Sequence, residues 1–195
     1  MNLPQLVIGL PDWVQHRLPE QDRVFGTEEE RMRFVIALSS MNVQNGTGGP
    51  FAAAVFSGDG RLVAPGVNLV LSLNCSIVHA EIVALALAQQ VLGRYDLSDG
   101  GRERYELVTA TEPCAMCFGA IPWAGVSRVL CGARDEDARA VGFDEGAKPP
   151  DWAAALRERG ITVKRDVLRD EAVAVLKQYQ EAGGPIYNPI RYRLA

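Results

Sequence analysis

Polar and apolar positions along the chain fall into blocks whose spacing names the elements. Thr27 followed by Glu30 has the form of a capping box. Beyond it Met32, Val35, Ile36, Leu38 and Met41 recur at helical spacing, so a helix is predicted from residue 27 to about 45. Gly46, Gly48, Gly49 and Pro50 end it. The runs 51–56 and 62–70 flank Ser57-Gly58-Asp59-Gly60 and predict a β-hairpin. Residues 80–92 are apolar nearly all round and rich in Ala, Leu and Val, which suits a helix buried against a sheet and stopped at Gly93.

The alternation continues through 97–104 as a polar loop, 106–110 as a strand, 113–123 as a helix and 127–132 as a strand. Short helices are predicted at 135–140 and 151–159, a strand at 161–167 and a last helix at 169–182. Near-continuously apolar strands between helices indicate an α/β fold with three α/β/α layers and a mixed sheet of about five strands. Residues 1–26, punctuated by Pro4, Pro11 and Pro19, form an irregular N-terminal extension, residues 27–182 one domain, and residues 183–195 an aromatic tail after Gly183-Gly184-Pro185.

Composition narrows the function classes. With 195 residues, 48% of them hydrophobic, the chain can bury one good core. Twenty Lys and Arg against 24 Asp and Glu give a formal charge of -4 with the acids dispersed, which disfavours a nucleic-acid partner. The N-terminus lacks a basic start and a long apolar run, and no window approaches a membrane span of roughly 18 apolar residues. A cytoplasmic protein is expected, with the four cysteines reduced rather than paired in disulfides.

The chemistry concentrates at His79-Ala80-Glu81 and Glu112-Pro113-Cys114-Ala115-Met116-Cys117. Cys114 and Cys117, in the first turn of one helix, and His79, at the start of another, supply three ligands for Zn2+, the number typical of catalytic sites that keep one position for water. Both helices would aim their positive ends at the site, favouring thiolates. Glu81 is then free to take a proton from water and deliver it to a leaving group. Alone, C-x-x-C also fits a redox pair or half of a structural zinc site. Pro113 precedes the pair instead of lying within it, and no convincing fourth ligand exists, which weighs against both. Cys131 lies in an apolar strand and is expected in the core, and Cys75 is a weak further candidate for the metal.

H-x-E followed by P-C-x-x-C is the signature of zinc nucleobase deaminases. The strings GGPFAAAVF at 48–56, HAEIVAL at 79–85, TEPCAMCFGAIPWAG at 111–125 and GFDEG at 142–146 resemble, more narrowly, guanine deaminases of the cytidine-deaminase fold. The likeness spans roughly 28–190. It implies hydrolysis of guanine to xanthine and ammonia, with zinc on His79, Cys114 and Cys117 and proton transfer by Glu81. It further implies that Glu145 holds or protonates the departing amine and that Asn68 binds the base. Some members also take ammeline, and some form homodimers whose C-terminal segments reach between subunits. Tyr187-Asn188 could close the pocket in that way, or pack on its own subunit.

The physical chemistry of the base fits those roles, since guanine presents donors at N1 and the 2-amino group and acceptors at O6, N3 and N7, which a carboxylate and an amide complement. Phe51, Trp123 and Phe143 are candidates to stack on or wall the base, and Ala80 and Tyr187 complete the set expected to face it. Asp144 is expected to be solvated. Three rivals remain at this point: a tRNA adenosine deaminase sharing most of the EPCxMCxGA string, a cytidine deaminase, and a non-catalytic zinc scaffold. The first needs phosphate contacts that the acidic chain does not group, the second lacks the GFDEG segment, and the third has no use for Glu81.

Overall fold

The computed structural model describes residues 3–188, so the expected tail beyond Asn188 lies outside the described residues. The leader contributes one turn of helix, α1 (Asp12–Gln15), and helix α2 spans Glu28–Gln44. Thr27 Oγ1 accepts the Glu30 N–H at 3.1 Å while Glu30 Oε2 accepts the Thr27 N–H at 3.2 Å, the reciprocal cap the sequence predicts. Such a cap stabilises a helix by about 1 kcal/mol. The hairpin pairs β1 (Ala52–Ser57) with β2 (Leu62–Val67), and the apolar run after it is α3 (Ala80–Leu92), closed by Gly93 in the left-handed conformation. There follow β3 (Tyr105–Thr111), α4 (Ala115–Ala124), β4 (Arg128–Ala133), α5 (Asp135–Ala140), α6 (Trp152–Arg157), β5 (Thr162–Lys164) and α7 (Arg169–Glu181).

The five strands form one mixed sheet in the order β2-β1-β3-β4-β5, antiparallel at β2/β1 and β1/β3, parallel at β3/β4 and β4/β5. Both faces are covered. Ala52, Ala54 and Phe56 of β1 point into a cluster with α2 and α7, while Ala53 and Val55 point into one with α3, α4 and α6. A strand covered on both faces has no polar side to show, hence the unbroken apolar runs. Gly66 lets α3 lie close on β2: a Cβ there would come within 2.3 Å of the Ala80 carbonyl oxygen and 2.5 Å of the Ala84 nitrogen.

Two elements are shorter than predicted. The strand expected over 161–167 keeps only three residues, because Asp166 and Leu168 take positive φ values of 65° and 53°, which extended backbone excludes. In the hairpin's second arm the ladder stops at Val67, and the chain turns after Asn68. These strand directions place the ends of β2, β3 and β4 and the start of β1 at one edge of the sheet. Ala52 pairs with Val67, and Thr111 with Ala133. Residues 51, 68, 112–114 and 134 therefore emerge together.

Candidate active site

His79 is the residue capping the N-terminus of α3, and Cys114 occupies the same position on α4. Gly66 lets α3 descend far enough for the two caps to meet. His79 Nδ1 lies 3.5 Å from Cys114 Sγ, and the ligating atoms of His79, Cys114 and Cys117 all fall within 4.8 Å of one another. For a tetrahedral zinc with about 2.3 Å bonds to sulfur and about 2.1 Å to nitrogen, the S···N separation would be roughly 3.6 Å, so the donor set fits that ion in both chemistry and spacing. Among the described residues no other His/Cys/Asp/Glu group has such an arrangement.

The site gathers ionisable groups that shift one another. Without metal, a hydrogen bond from Cys117 and another from His79 lower the Cys114 thiol to about 4 against the opposing pull of burial. Cys117, donating to that thiolate and buried, is raised well above an ordinary thiol. Burial pulls His79 down, but its hydrogen bond to Cys114 and the charges of Glu81, Cys114 and Glu145 leave it raised overall. Two carboxylates complete the group. Glu81, in the first turn of α3 and 6% exposed, is raised to about 7 by burial and the Cys114 charge. Glu145, also 6% exposed, is raised to about 8 by burial, then by Cys114 and Glu81.

A cavity of about 410 Å³ opens over these groups, lined among others by Phe51, Asn68, His79, Glu81, Cys114, Phe143, Glu145 and Tyr187. Asn68 is 1% exposed; its N–H donates to the Phe51 carbonyl at 3.0 Å and its Oδ1 accepts from the Val70 N–H at 3.3 Å. Phe143 stacks edge-on against Phe51 at 4.8 Å and tilts against Tyr187 at 5.2 Å. Tyr187 seats its hydroxyl against Gly49, where a Cβ would lie only 2.1 Å from it, and that buried hydroxyl has no hydrogen-bond partner in the structure.

The 142–146 segment is tied down at both ends. The Ala115 N–H of α4 donates to the Glu145 carbonyl at 2.9 Å, and the Asn188 amide spans the other end, accepting from the Asp144 N–H and donating to the Gly142 carbonyl, each at 2.8 Å. Behind α4, Glu112 accepts the Asp135 N–H at 3.2 Å and pairs with Arg165, while Lys148 Nζ donates to the Pro113 carbonyl at 2.7 Å. The Glu of the EPC string is thus a buried brace for the loop carrying Cys114.

Several expectations need correction. Trp123 does not wall the cavity: it is 84% exposed. It follows Cys114 by nine residues on α4, which at about 100° per residue puts it on the opposite side of the helix. Ala80 lies with its side chain in the core cluster between α3 and the sheet, outside the cavity lining. Asp144 is not simply solvated, since its Oδ1 accepts the Gly146 N–H at 2.9 Å and lies 3.7 Å from Arg139. Cys75 is not in the metal-ligand group, and Cys131 is fully buried in the core as its strand context indicated. Among the described late basic residues, Lys164 pairs with Glu28, Arg165 with Glu112 and Arg169 with Asp137.

Residues 26–133 match the model of the cytidine and deoxycytidylate deaminase zinc-binding region. Guanine deaminase of Bacillus subtilis is 39% identical over 117 residues, covering 60% of this chain and 71% of that protein. The structure of guanine deaminase from Nitrosomonas europaea superposes with a TM-score of 0.85 at 46% identity, over 91% of this chain and 97% of the other. The chain belongs to the guanine deaminases of the cytidine deaminase superfamily. A further solved structure, in complex with 2,6-diaminopurine, superposes with a TM-score of 0.86 at 49% identity over 93% of this chain and 96% of its own. In this guanine deaminase family member the zinc-binding region spans His79, Glu81, Cys114 and Cys117, while Glu145 and Tyr187 lie beyond it.

Proposed function

We propose that the cavity deaminates guanine hydrolytically to xanthine and ammonia, with zinc on His79, Cys114 and Cys117. The observation carrying this reading is the convergence of two buried carboxylates, Glu81 and Glu145, and the buried amide of Asn68 on one His/Cys/Cys group in a cavity lined by Phe51, Phe143 and Tyr187. Zinc held there supplies the Lewis acidity that makes water a usable nucleophile near neutral pH. The reaction adds the water oxygen to C2, breaks the bond from C2 to the exocyclic nitrogen, and releases that nitrogen as ammonia.

Protons are the work of the chain's own side chains. Glu81 accepts one proton of the attacking water and passes it to the ring nitrogen next to C2. It then takes the remaining proton from the hydroxyl now on C2 and delivers it to the amine, which leaves as ammonia while the C2 carbonyl forms. Glu145 faces the exocyclic amine, which it holds by accepting from the N–H groups when ionised and assists by donating when protonated. Burial puts both carboxyls within reach of either state near neutrality, at about 7 and about 8 in the metal-free site. Asn68 offers one donor and one acceptor surface to the base edge, Phe51 and Phe143 wall its faces, and the unpartnered Tyr187 hydroxyl is available to a polar atom of the base.

Ammeline, with a similar amino-substituted ring, belongs to the same proposal as a second substrate. So do a homodimer and a cytoplasmic location, to be measured by light scattering and by cell fractionation; among the described residues no helix is long and apolar enough to cross a membrane. We assign residues 27–182 to the deaminase domain, 1–26 to an extension and 183–195 to a tail, of which Tyr187 and Asn188 line the cavity. The deciding experiment measures ammonia release by zinc-loaded protein from guanine, ammeline, adenine, cytosine, cytidine and tRNA in parallel. Guanine turnover is expected; tRNA editing without it would overturn the proposal.

A further inference from the structure

We propose that Asn42 is a positioning residue for base recognition, held in its working orientation by Thr47 and by Trp13 of the N-terminal leader. The inference rests on Asn68 binding the base, as proposed above. Asn42 is a fully buried polar side chain on the apolar stripe of α2 formed by Met32, Val35 and Ile36. Its Nδ2 donates to the Gly49 carbonyl at 2.9 Å and to the Asn68 carbonyl at 3.0 Å. Its Oδ1 accepts from the Thr47 hydroxyl at 2.7 Å, and Thr47 Oγ1 accepts from Trp13 Nε1–H at 3.0 Å.

The direction of this relay is set from both ends, by the leader's indole and by the two carbonyls. An indole nitrogen only donates, so Thr47 must accept from it and keeps its single proton for Asn42. That proton has two oxygens of Asn42 in reach, Oδ1 at 2.7 Å and the backbone carbonyl at 3.3 Å. By taking the nearer it holds the amide with Nδ2 toward the Gly49 and Asn68 carbonyls, which themselves need a donor. The reversed amide would set an oxygen against two carbonyl oxygens with no proton between them.

Those two carbonyls belong to the two segments that form one wall of the cavity. Gly49 is the seat of the Tyr187 hydroxyl, and Asn68 carries the base-reading amide. Asn68 is clamped on both sides of its Cα, its N–H by Phe51 and its C=O by Asn42, so the backbone that aims its side chain cannot drift. The leader thereby acquires a role in recognition without touching the cavity.

The test uses zinc-loaded, full-length protein and steady-state guanine kinetics. Trp13→Phe keeps a ring and removes the N–H; Thr47→Val keeps the shape and removes the hydroxyl. Each is expected to raise KM about fivefold, the worth of one net hydrogen bond, with kcat within about twofold and zinc content unchanged. Combined with Asn68→Ala, Trp13→Phe should raise KM no further, since its route to the base is gone. Wild-type KM in both single variants, or an equal rise in both backgrounds, would overturn the relay. Asn68→Ala with wild-type KM would instead refute base binding by Asn68, and the recognition role of Asn42 with it. If Thr47→Val does not fold, Trp13→Phe alone decides.

Discussion

Gly49→Ala would test whether the C-terminal segment closes the cavity. The new Cβ would lie 2.1 Å from the Tyr187 hydroxyl oxygen and 2.9 Å from two of its ring carbons, so about 1.3 Å must open before that oxygen reaches an ordinary 3.4 Å contact. The Gly49 backbone cannot retreat easily, because its carbonyl accepts from Asn42 at 2.9 Å and from the Phe51 N–H at 2.8 Å. Tyr187 is the partner that moves. Uncovering half of a tyrosine side chain, roughly 100 Å², at about 25 cal/mol per Å² costs about 2.5 kcal/mol. Loosening the ring contact with Phe143 adds about 0.5–1 kcal/mol.

A wall weakened by that much, about 3–3.5 kcal/mol, should lower kcat/KM for guanine about 150- to 400-fold, since each 1.36 kcal/mol is a factor of about ten. Zinc content should not change, because none of the ligands touches Gly49. Chymotrypsin should cleave faster at Tyr187. Adding Tyr187→Phe removes the 2.1 Å contact but leaves the two at 2.9 Å, so the double variant should recover part of the loss caused by Gly49→Ala. Wild-type kcat/KM together with undiminished protection of Tyr187 would refute the closure argument.

Glu81→Gln should keep zinc and lower kcat by about 10²–10⁴, the range for loss of a general acid–base group; ammonia release alongside metal analysis checks it. Cys114→Ser should lower zinc occupancy and the melting temperature together, and full occupancy in purified protein would remove Cys114 from the ligand set. Asp137 accepts two hydrogen bonds from Arg169 at 2.8 Å, which hold its carboxyl below the usual range. Its stabilising contribution is therefore present above the unfolded value of about 3.9 and is lost as pH falls through the lower folded value. Asp137→Asn should be less stable than wild type at pH 7, with the gap narrowing on acidification to about pH 3; urea midpoints at both pH values would show it.

Local chemistry was the legible part. The 80–92 helix, the Thr27 cap and the ligand spacing depend on neighbours within a turn or two, and periodicity reports those directly. Trp123 has a chemical type that suits a base pocket, but its side of the helix is set by phase relative to Cys114, nine residues earlier, and that phase turns it to the surface. Strand β5 was overestimated because the left-handed turns at Asp166 and Leu168 carry no glycine to announce them. Asn188 makes its two hydrogen bonds across more than forty residues, and no local pattern marks such a partner. Asn42 did leave a trace, a polar residue at a buried phase of α2.

The active site's parts are ordered along the chain in a way that separates metal from base. All three ligands have been synthesised by Cys117, whereas Tyr187 and Asn188 arrive about seventy residues later. At roughly 5–20 residues per second, that interval is several seconds during translation. The three ligand side chains are thus synthesised before Tyr187, the last of the aromatic residues that line the cavity. A chain ending just after α7 would retain every ligand, the two-faced core and most of the cavity lining, while lacking the Tyr187 wall and the two hydrogen bonds by which Asn188 ties down the 142–146 segment.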